Sequence, residues 1–282
     1  MLKNRSFLLF IVAAGGILIS ISSAVPAQKP VLKISTKDEI AEDIKAVPCK
    51  NGDRLEAVKT LFKKMGAADS DMSVETQGSI HNLVVTKRGT SDEIVIIGAH
   101  YDKVSEGCGA IDNWTGITII AHLFRTMNGT TPAKTYRFVA FDSEESGLKG
   151  SDAMAKAITK ESRPNYCSMI NFDSFGFTYP STFSNGSSPK MVAVAKTLSA
   201  ELKIPFADAR IEGADADSSS FLARDIPAIT FDGLGTDWQK YLHTSNDKVG
   251  NVNISSVFVG YSYALRYVGI VDAAACGEYR KK

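Results

Sequence analysis

The stretch from Ile94 to Asp102, IVIIGAHYD, decides the fold of this 282-residue chain. Its first four residues are apolar and β-branched, which is typical of a strand buried on both faces of a sheet. His100 and Asp102 follow at the point where this strand gives way to a loop. Residues two apart in an extended chain face the same way, so Asp102 can accept a hydrogen bond from the His100 ring and orient it.

Strands and helices alternate on both sides of this stretch. The pattern predicts two helices within 37–66, a hairpin of strands at 72–76 and 80–87, strands at 136–141, 168–172 and 226–231, and helices at 114–127, 147–159, 189–202 and 255–275. Such alternation implies a mostly parallel sheet with helices on both faces, and the hairpin adds antiparallel pairing. The expected fold is therefore α/β, a three-layer αβα sandwich around a mixed, mostly parallel sheet.

Length and charge limit the number of domains and the classes of partner to be expected. The sequence has 32 basic and 31 acidic residues, so nothing in its charge favours nucleic acid as a partner. One large domain is the default for this length, and two small domains are the alternative. Because no linker divides the chain, we expect a single domain over residues 28–282.

The first 27 residues have the pattern of a secretory signal peptide. Lys3 and Arg5 are the only charges in this segment, an apolar run follows over 7–18, and small residues extend to Ala27. The alternative is an uncleaved membrane anchor, but the apolar run is shorter than the roughly 20 residues that a membrane span needs. We expect a periplasmic or extracellular protein without stable membrane association after cleavage.

Four cysteines follow this segment, at positions 49, 108, 167 and 276. An even number in an oxidising compartment suggests disulfide bonds. None lies in a CxxC spacing, which argues against a cysteine zinc site. Three pairings are open from the count alone.

Acids and imidazoles follow four of the predicted strands. These are His100 after 94–97, Glu144 and Glu145 after 136–141, Asp173 after 168–172 and His243 in the loop after 226–231. The carboxyl ends of parallel strands lie at one edge of a sheet, where ligands bind. Asp112 joins them from the loop before helix 114–127. Two imidazoles and three carboxylates can hold two divalent metals, with Glu144 as a spare carboxylate for a metal-assisted hydrolase.

Three of these residues also have an ordinary structural explanation. Asp112 is suited to cap a helix, and Glu144 and Glu145 suit the first turn of one. The other histidines are not expected to bind metal. We expect His81 to be exposed at the start of a strand, and His122 to contact solvent or the edge of the core.

The ordered motifs resemble those of the dinuclear zinc aminopeptidases of the bacterial leucyl aminopeptidase type, relatives of glutamate carboxypeptidase and glutaminyl cyclase. The matching segments are GAHYD at 98–102, GAIDNWTG at 109–116, SEESGL at 143–148, NFDS at 171–174 and YLHT at 241–244. Residues 217–229 also resemble a segment of this family. The resemblance extends over about 90–275, whereas residues 28–89 match weakly.

The resemblance implies a metal ligand set. His100 and Asp173 would hold one zinc ion, Glu145 and His243 would hold the other, and Asp112 would bridge them. The resemblance also implies a cis peptide bond after Asp112. Manganese or cobalt can replace zinc at such nitrogen and oxygen ligands.

The resemblance implies catalytic roles as well. Glu144 would be the general base. Asp102 joins it as the group that orients His100, an inference from the spacing of the two residues rather than from the resemblance. Some relatives place a tyrosine directly before the last histidine, but this chain has Leu242 there and Tyr241 one position earlier. The implied function is a secreted zinc-dependent exopeptidase, an aminopeptidase acting on peptides.

Three alternatives remain on the same scaffold. A carboxypeptidase needs a basic pocket for the substrate carboxylate, for which Arg210 and Arg224 are candidates. A glutaminyl cyclase typically uses one zinc ion. A non-catalytic binding domain is the third alternative, although such relatives lose metal ligands and all five are present here.

The predicted topology then places the cysteines at different edges of the sheet. Cys167 precedes its strand and so lies at the edge opposite the metals. The last helix runs away from the metal edge, which brings Cys276 to the same opposite edge. Since Cys108 is in a loop at the metal edge, we predict the pairs Cys167–Cys276 and, by elimination, Cys49–Cys108.

Overall fold

The middle layer of the fold is one mixed sheet of eight strands. The computed structural model describes residues 32–210 and 215–280, so the predicted signal peptide lies outside the described residues. The strands are β1 (Met72–Gln77), β2 (Ile80–Lys87), β3 (Ile94–His100), β4 (Thr135–Phe141), β5 (Tyr166–Phe172), β6 (Ser181–Phe183), β7 (Ala207–Ala209) and β8 (Ala228–Asp232). Their order in the sheet is β1-β2-β4-β3-β5-β8-β6-β7.

Helices cover both faces of this sheet. They are α1 (Lys37–Lys45), α2 (Asn51–Lys64), α3 (Thr115–Asn128), α4 (Lys149–Ala157), α5 (Pro189–Leu202), α6 (Asp217–Leu222) and α7 (Ile254–Ala273). Residues of α1, α2, α3, α5 and α7 form the larger core on one face. Residues of α4 and α6 form a smaller core on the other face. The predicted three-layer α/β sandwich is confirmed.

Strand β3 lies at the centre and is buried on both faces, as its apolar sequence predicts. Val95 and Ile97 belong to the larger core, whereas Ile96 belongs to the smaller core. Strands β4 and β5 flank β3, and both pair with it in parallel. Strand β8 continues the parallel set beside β5. The carboxyl ends of these four strands therefore meet at one edge of the sheet.

Helix α7 has the length and composition of a membrane-spanning helix, but half of its most apolar window is buried inside the protein. Tyr261 and Tyr267 are fully buried in the larger core. The apolar sequence of α7 is thus explained by packing on the sheet.

Three short elements do not follow from the sequence pattern. Strands β6 and β7 have three residues each, and α6 has six. Elements this short contain too few residues for a period of 2 or 3.6 to be recognised. Helix α4 also starts two residues later than predicted, because Gly147 and Leu148 have φ angles of 96° and 57°.

Both predicted disulfide bonds are confirmed. Cys49 pairs with Cys108, and Cys167 pairs with Cys276, with Cα–Cα distances of 4.3 and 4.4 Å. The first bond joins the segment before α2 to a loop at the carboxyl edge of the sheet. The second joins the start of β5 to the segment after α7, at the opposite edge.

The prediction for His122 is wrong, because this histidine is fully buried. Its Nδ1 lies 2.7 Å from the Ser35 hydroxyl, and its Nε2 lies 3.2 Å from Asp43 Oδ2. The contact joins α3 to α1 and to the segment before α1. His81 is half-buried rather than exposed, and its Nδ1 lies 3.1 Å from the Thr76 hydroxyl.

Candidate metal centre

The five residues expected to bind metal lie together at the carboxyl edge of the sheet. His100 Nε2 is 3.2 Å from Asp112 Oδ1 and 3.4 Å from Asp173 Oδ1. His243 Nε2 is 3.2 Å from Asp112 Oδ2 and 3.0 Å from Glu145 Oε2. Asp112 therefore faces one histidine with each of its two carboxylate oxygens.

Two groups of potential ligands share this aspartate. In each group, one ligand atom per residue lies within 4.8 Å of the others. The first group contains His100, Asp112 and Asp173, and the second contains Asp112, Glu145 and His243. Two overlapping groups with one common carboxylate can hold two neighbouring cations.

The peptide bond between Asp112 and Asn113 is cis, and the Asn113 side chain anchors this turn to the end of β5. Its amide nitrogen donates to the Phe172 carbonyl at 2.9 Å, and its oxygen accepts from the backbone N–H groups of Gly116 and Ser174. A Cβ atom on Gly116 would lie 2.3 Å from Asn113 Oδ1 and 2.4 Å from the Phe172 carbonyl oxygen. The turn therefore requires glycine at position 116.

Asp247 holds the same turn from the other side, and sequence reasoning missed it. Its carboxylate accepts hydrogen bonds from the backbone N–H groups of Ile111 at 2.6 Å and Asp112 at 3.2 Å. Burial raises the pKa of Asp247 to about 6. Its position four residues after His243, in the same loop, is the sequence signal that could have identified it.

Asp102 connects two of the sequence motifs. Its Oδ1 lies 3.5 Å from His100 Nδ1, and its backbone oxygen lies 3.2 Å from the same atom. Its carboxylate also accepts from the backbone N–H groups of Glu144 at 2.9 Å and Glu145 at 3.2 Å. The spacing in the sequence predicts the contact with His100, but only the tertiary structure reveals the contact with the two glutamates.

Glu144 lies in a strongly acidic environment. Its Oε2 is 4.0 Å from His100 Nε2. Burial raises the pKa of Glu144 to about 10, aided by Asp173, Asp217 and Asp112 and opposed by His100. So many carboxylates at one buried site need compensating positive charge, which divalent cations would supply.

The residues present fit such cations. Glu145 Oε1 is buried and has no hydrogen-bond partner among the described residues. A buried oxygen without a partner is unfavourable unless an unseen ion or water satisfies it. The nitrogen and oxygen donors suit zinc, and they also accept manganese or cobalt.

Asp217, at the start of α6, is a second acid that the sequence motifs did not single out for a role. It is fully buried, and neither of its carboxylate oxygens has a hydrogen-bond partner among the described residues. Burial raises its pKa to about 7. It adds to the negative potential around Glu144.

Comparisons with known proteins identify the family of the chain. Residues 82–263 match peptidase family M28. A probable leucine aminopeptidase of Arthroderma otae is 25% identical over 242 residues, which cover 76% of this chain and 63% of that protein. The chain thus spans less than two thirds of the length of this relative.

Two solved structures share the fold. The Legionella pneumophila LapA aminopeptidase has a TM-score of 0.69 at 22% identity, over 93% of this chain and 80% of that chain. An Acidobacteriales bacterium glutaminyl cyclase has a TM-score of 0.72 at 15% identity, over 88% and 98%. At these identities the likeness shows the fold alone. The family match, in contrast, contains all five clustered side chains, and we conclude that this chain belongs to peptidase family M28.

Proposed function

We propose that the protein is a zinc-dependent exopeptidase, an aminopeptidase that removes residues from the N-termini of peptides. The proposal depends on one observation. Two imidazoles and three carboxylates converge at the carboxyl edge of the sheet, and Asp112 is shared between two groups of potential ligands. Membership of a peptidase family supports it.

In this proposal His100 and Asp173 hold one cation, Glu145 and His243 hold the other, and Asp112 lies between them. The short distances from Asp112 to both histidines support this assignment. When bound, the two cations would lower the pKa of a water toward about 7 and polarise the scissile carbonyl.

Glu144 would accept the proton of the attacking water and deliver it to the leaving amine. Its carboxyl lies 4.0 Å from His100, and the positive charge of the bound cations would keep it ionised, which supports this role. Asp102 would keep His100 and Glu144 in place, since its carboxylate contacts the His100 ring and the backbone of Glu144.

The proposal includes export, with residues 1–27 as a signal peptide and 28–282 as one peptidase domain. The two disulfide bonds support an oxidising compartment, because cytosolic proteins rarely keep such bonds.

The rival functions make different demands on the site. A carboxypeptidase needs a free cation for the substrate carboxylate, but Arg224 already donates to the Ser220 carbonyl and to Asp152, each at 2.9 Å. A glutaminyl cyclase would need one metal, whereas the site offers two overlapping ligand groups.

The experiment compares an aminoacyl p-nitroanilide, its N-acetylated analogue and a peptide with N-terminal glutamine. We expect hydrolysis of the free-amine substrate alone, loss of activity with a chelator and recovery with zinc. Glu144→Gln should retain both zinc ions and lose at least about 100-fold in turnover. Cyclisation of the glutamine peptide with one bound zinc would identify a cyclase, and hydrolysis of only the acetylated substrate would exclude an aminopeptidase.

A further inference from the structure

Arg54, in the first half of α2, lies completely buried beside the metal centre. Its Nε donates to the Tyr101 carbonyl, and its Nη1 donates to the carbonyls of Pro48 and Cys108 at 3.0 and 3.1 Å. Its Nη2 donates to the Gly109 carbonyl at 3.1 Å. One guanidinium thus joins three separate segments of main chain.

A buried cation requires strong compensation, because its transfer from water into the protein interior is highly unfavourable. No carboxylate lies within ion-pair distance of Arg54 among the described residues; the four carbonyl dipoles and the face of Trp114, 5.4 Å away, take that place. Burial lowers the pKa of Arg54 to about 10, and the charges of Asp102 and Asp247 oppose this shift. The guanidinium therefore stays charged at neutral pH.

Three of the four carbonyls that Arg54 binds, those of Tyr101, Cys108 and Gly109, belong to the two loops of the metal centre. Tyr101 directly follows His100, and Gly109 begins the turn that carries Asp112. Gly109 has a φ of 62°, and a Cβ atom there would lie 3.0 Å from Arg54 Nη1. The guanidinium therefore fits closely against this turn.

The rest of the segment 49–54 contacts the same loops. The Asn51 side chain accepts from the Lys103 backbone N–H at 3.0 Å and donates to the Lys103 carbonyl at 2.8 Å. Cys49 is bonded to Cys108. Cys49, Asn51 and Arg54 all lie outside residues 82–263, the part of the chain that matches the family.

From these contacts we infer that Arg54 is a positioning residue of the metal centre. Its planar guanidinium fixes the loop that follows His100 (the His100 loop) relative to the turn that carries Asp112 (the Asp112 turn), and Asn51 assists it. The inference rests on the proposed function, since it concerns zinc binding by the same five ligands. Lysine cannot replace Arg54 here, because a point charge on a flexible stem does not bridge several carbonyls at fixed angles.

The test is a zinc titration of the full chain against a chromophoric chelator, with both disulfides intact, together with melting temperatures with and without zinc. Arg54→Lys and Arg54→Met should lower zinc affinity by about 10- to 100-fold, as loss of groups that orient metal ligands does. The matched control is Arg280→Met. Arg280 donates to three main-chain carbonyls at the opposite edge of the sheet, so its loss should leave zinc affinity unchanged.

Wild-type zinc affinity in both Arg54 variants, with only a lower melting temperature, would overturn the inference and leave the proposed function intact. If neither variant folds, Asn51→Ala decides, because this residue is exposed and both of its described side-chain hydrogen bonds go to Lys103, in the loop after His100. A weaker zinc affinity in Asn51→Ala then supports the inference, and an unchanged one overturns it. Wild-type protein that binds no zinc would contradict the proposed function itself.

Discussion

Asp112 is the side chain that the two halves of the candidate metal centre share. Its two oxygens face His100 and His243 at 3.2 Å each. Asp173 approaches only the first histidine closely, and Glu145 approaches only the second. Loss of Asp112 should therefore affect both cations, whereas loss of Asp173 should affect one.

This difference can be measured by metal content. After dialysis against dilute zinc, Asp112→Asn should lose affinity at both positions, and Asp173→Asn should retain one zinc ion. Aminopeptidase activity should fall at least about 100-fold in both, beyond the usual effect of groups that only orient ligands. An Asp112→Asn protein that binds two zinc ions as tightly as wild type would contradict the bridging role.

The buried contact between His122 and Asp43 has a different consequence, for stability alone. His122→Asn removes one of the two partners of the buried Asp43 carboxylate and leaves it only Lys64, so the free energy of unfolding at pH 7 should fall by about 1–3 kcal/mol. Zinc affinity should not change, because the contact lies among α1, α3 and the segment before α1.

The effect of His122→Asn should also depend on pH. Burial by itself would raise the pKa of Asp43, but the close contacts with His122 and Lys64 outweigh it and lower that pKa below its ordinary value of 3.8. A lowered folded pKa contributes stability above the ordinary value and loses it as the pH falls through the folded value. Urea unfolding should therefore show a difference between wild type and variant that shrinks below about pH 4. A difference that stays constant down to pH 2 would refute this account.

At the scale of elements, the turn before α3 is held from several directions. The Asn113 side chain ties it to β5, and Asp247 ties it to the loop that carries His243. The bond between Cys49 and Cys108 ties the residues just before it to α2. These contacts together determine where Asp112 points.

The two disulfides form a matched pair for testing this arrangement. They close loops of 59 and 109 residues, so removing either should cost a similar stability of about 4–5 kcal/mol on the chain-entropy estimate. The double variant Cys49→Ser/Cys108→Ser should also bind zinc about 10-fold more weakly or worse, because its bond lies beside the Asp112 turn. Cys167→Ser/Cys276→Ser should bind zinc normally. Equal zinc affinities in the two variants would mean that the first disulfide does not support the metal centre.

At the scale of the whole molecule, the fold and the site are largely separate. The two cores lie on the faces of the sheet, whereas the candidate ligands lie at the carboxyl edge of four parallel strands. The two cores consist of apolar side chains and include none of the candidate ligands. The fold should therefore persist when metal is removed.

Chelation should accordingly lower the melting temperature and leave the far-ultraviolet circular dichroism unchanged. Each bound zinc ion should stabilise the protein by about 2.7 kcal/mol at a free zinc concentration 100 times the Kd of its site, because zinc binds only the folded state. Calorimetry across a zinc series checks this relation. Loss of helical signal on chelation would show instead that the metal is needed for folding.

Much of this fold could be predicted because its long elements have clear patterns. The helices α3, α5 and α7 lie within two residues of their predicted bounds at each end, and the central strand β3 begins at its predicted residue but ends three residues later, at His100. Strands β6 and β7 could not be predicted, since three residues contain no recognisable period. The burial of His122 could not be predicted either, because it depends on Ser35 and Asp43, which are distant in the sequence.

By itself, the sequence determined the αβα class, the edge at which polar residues gather and the two cysteine pairs. It could do so because strand direction and the alternation of elements follow from local patterns. Only the tertiary structure decided how the site is held: by Asp247, by the second contact of Asp102 and by Arg54 beneath the loops. Those contacts are hydrogen bonds between segments 42 to 136 residues apart, and no local pattern specifies such partners.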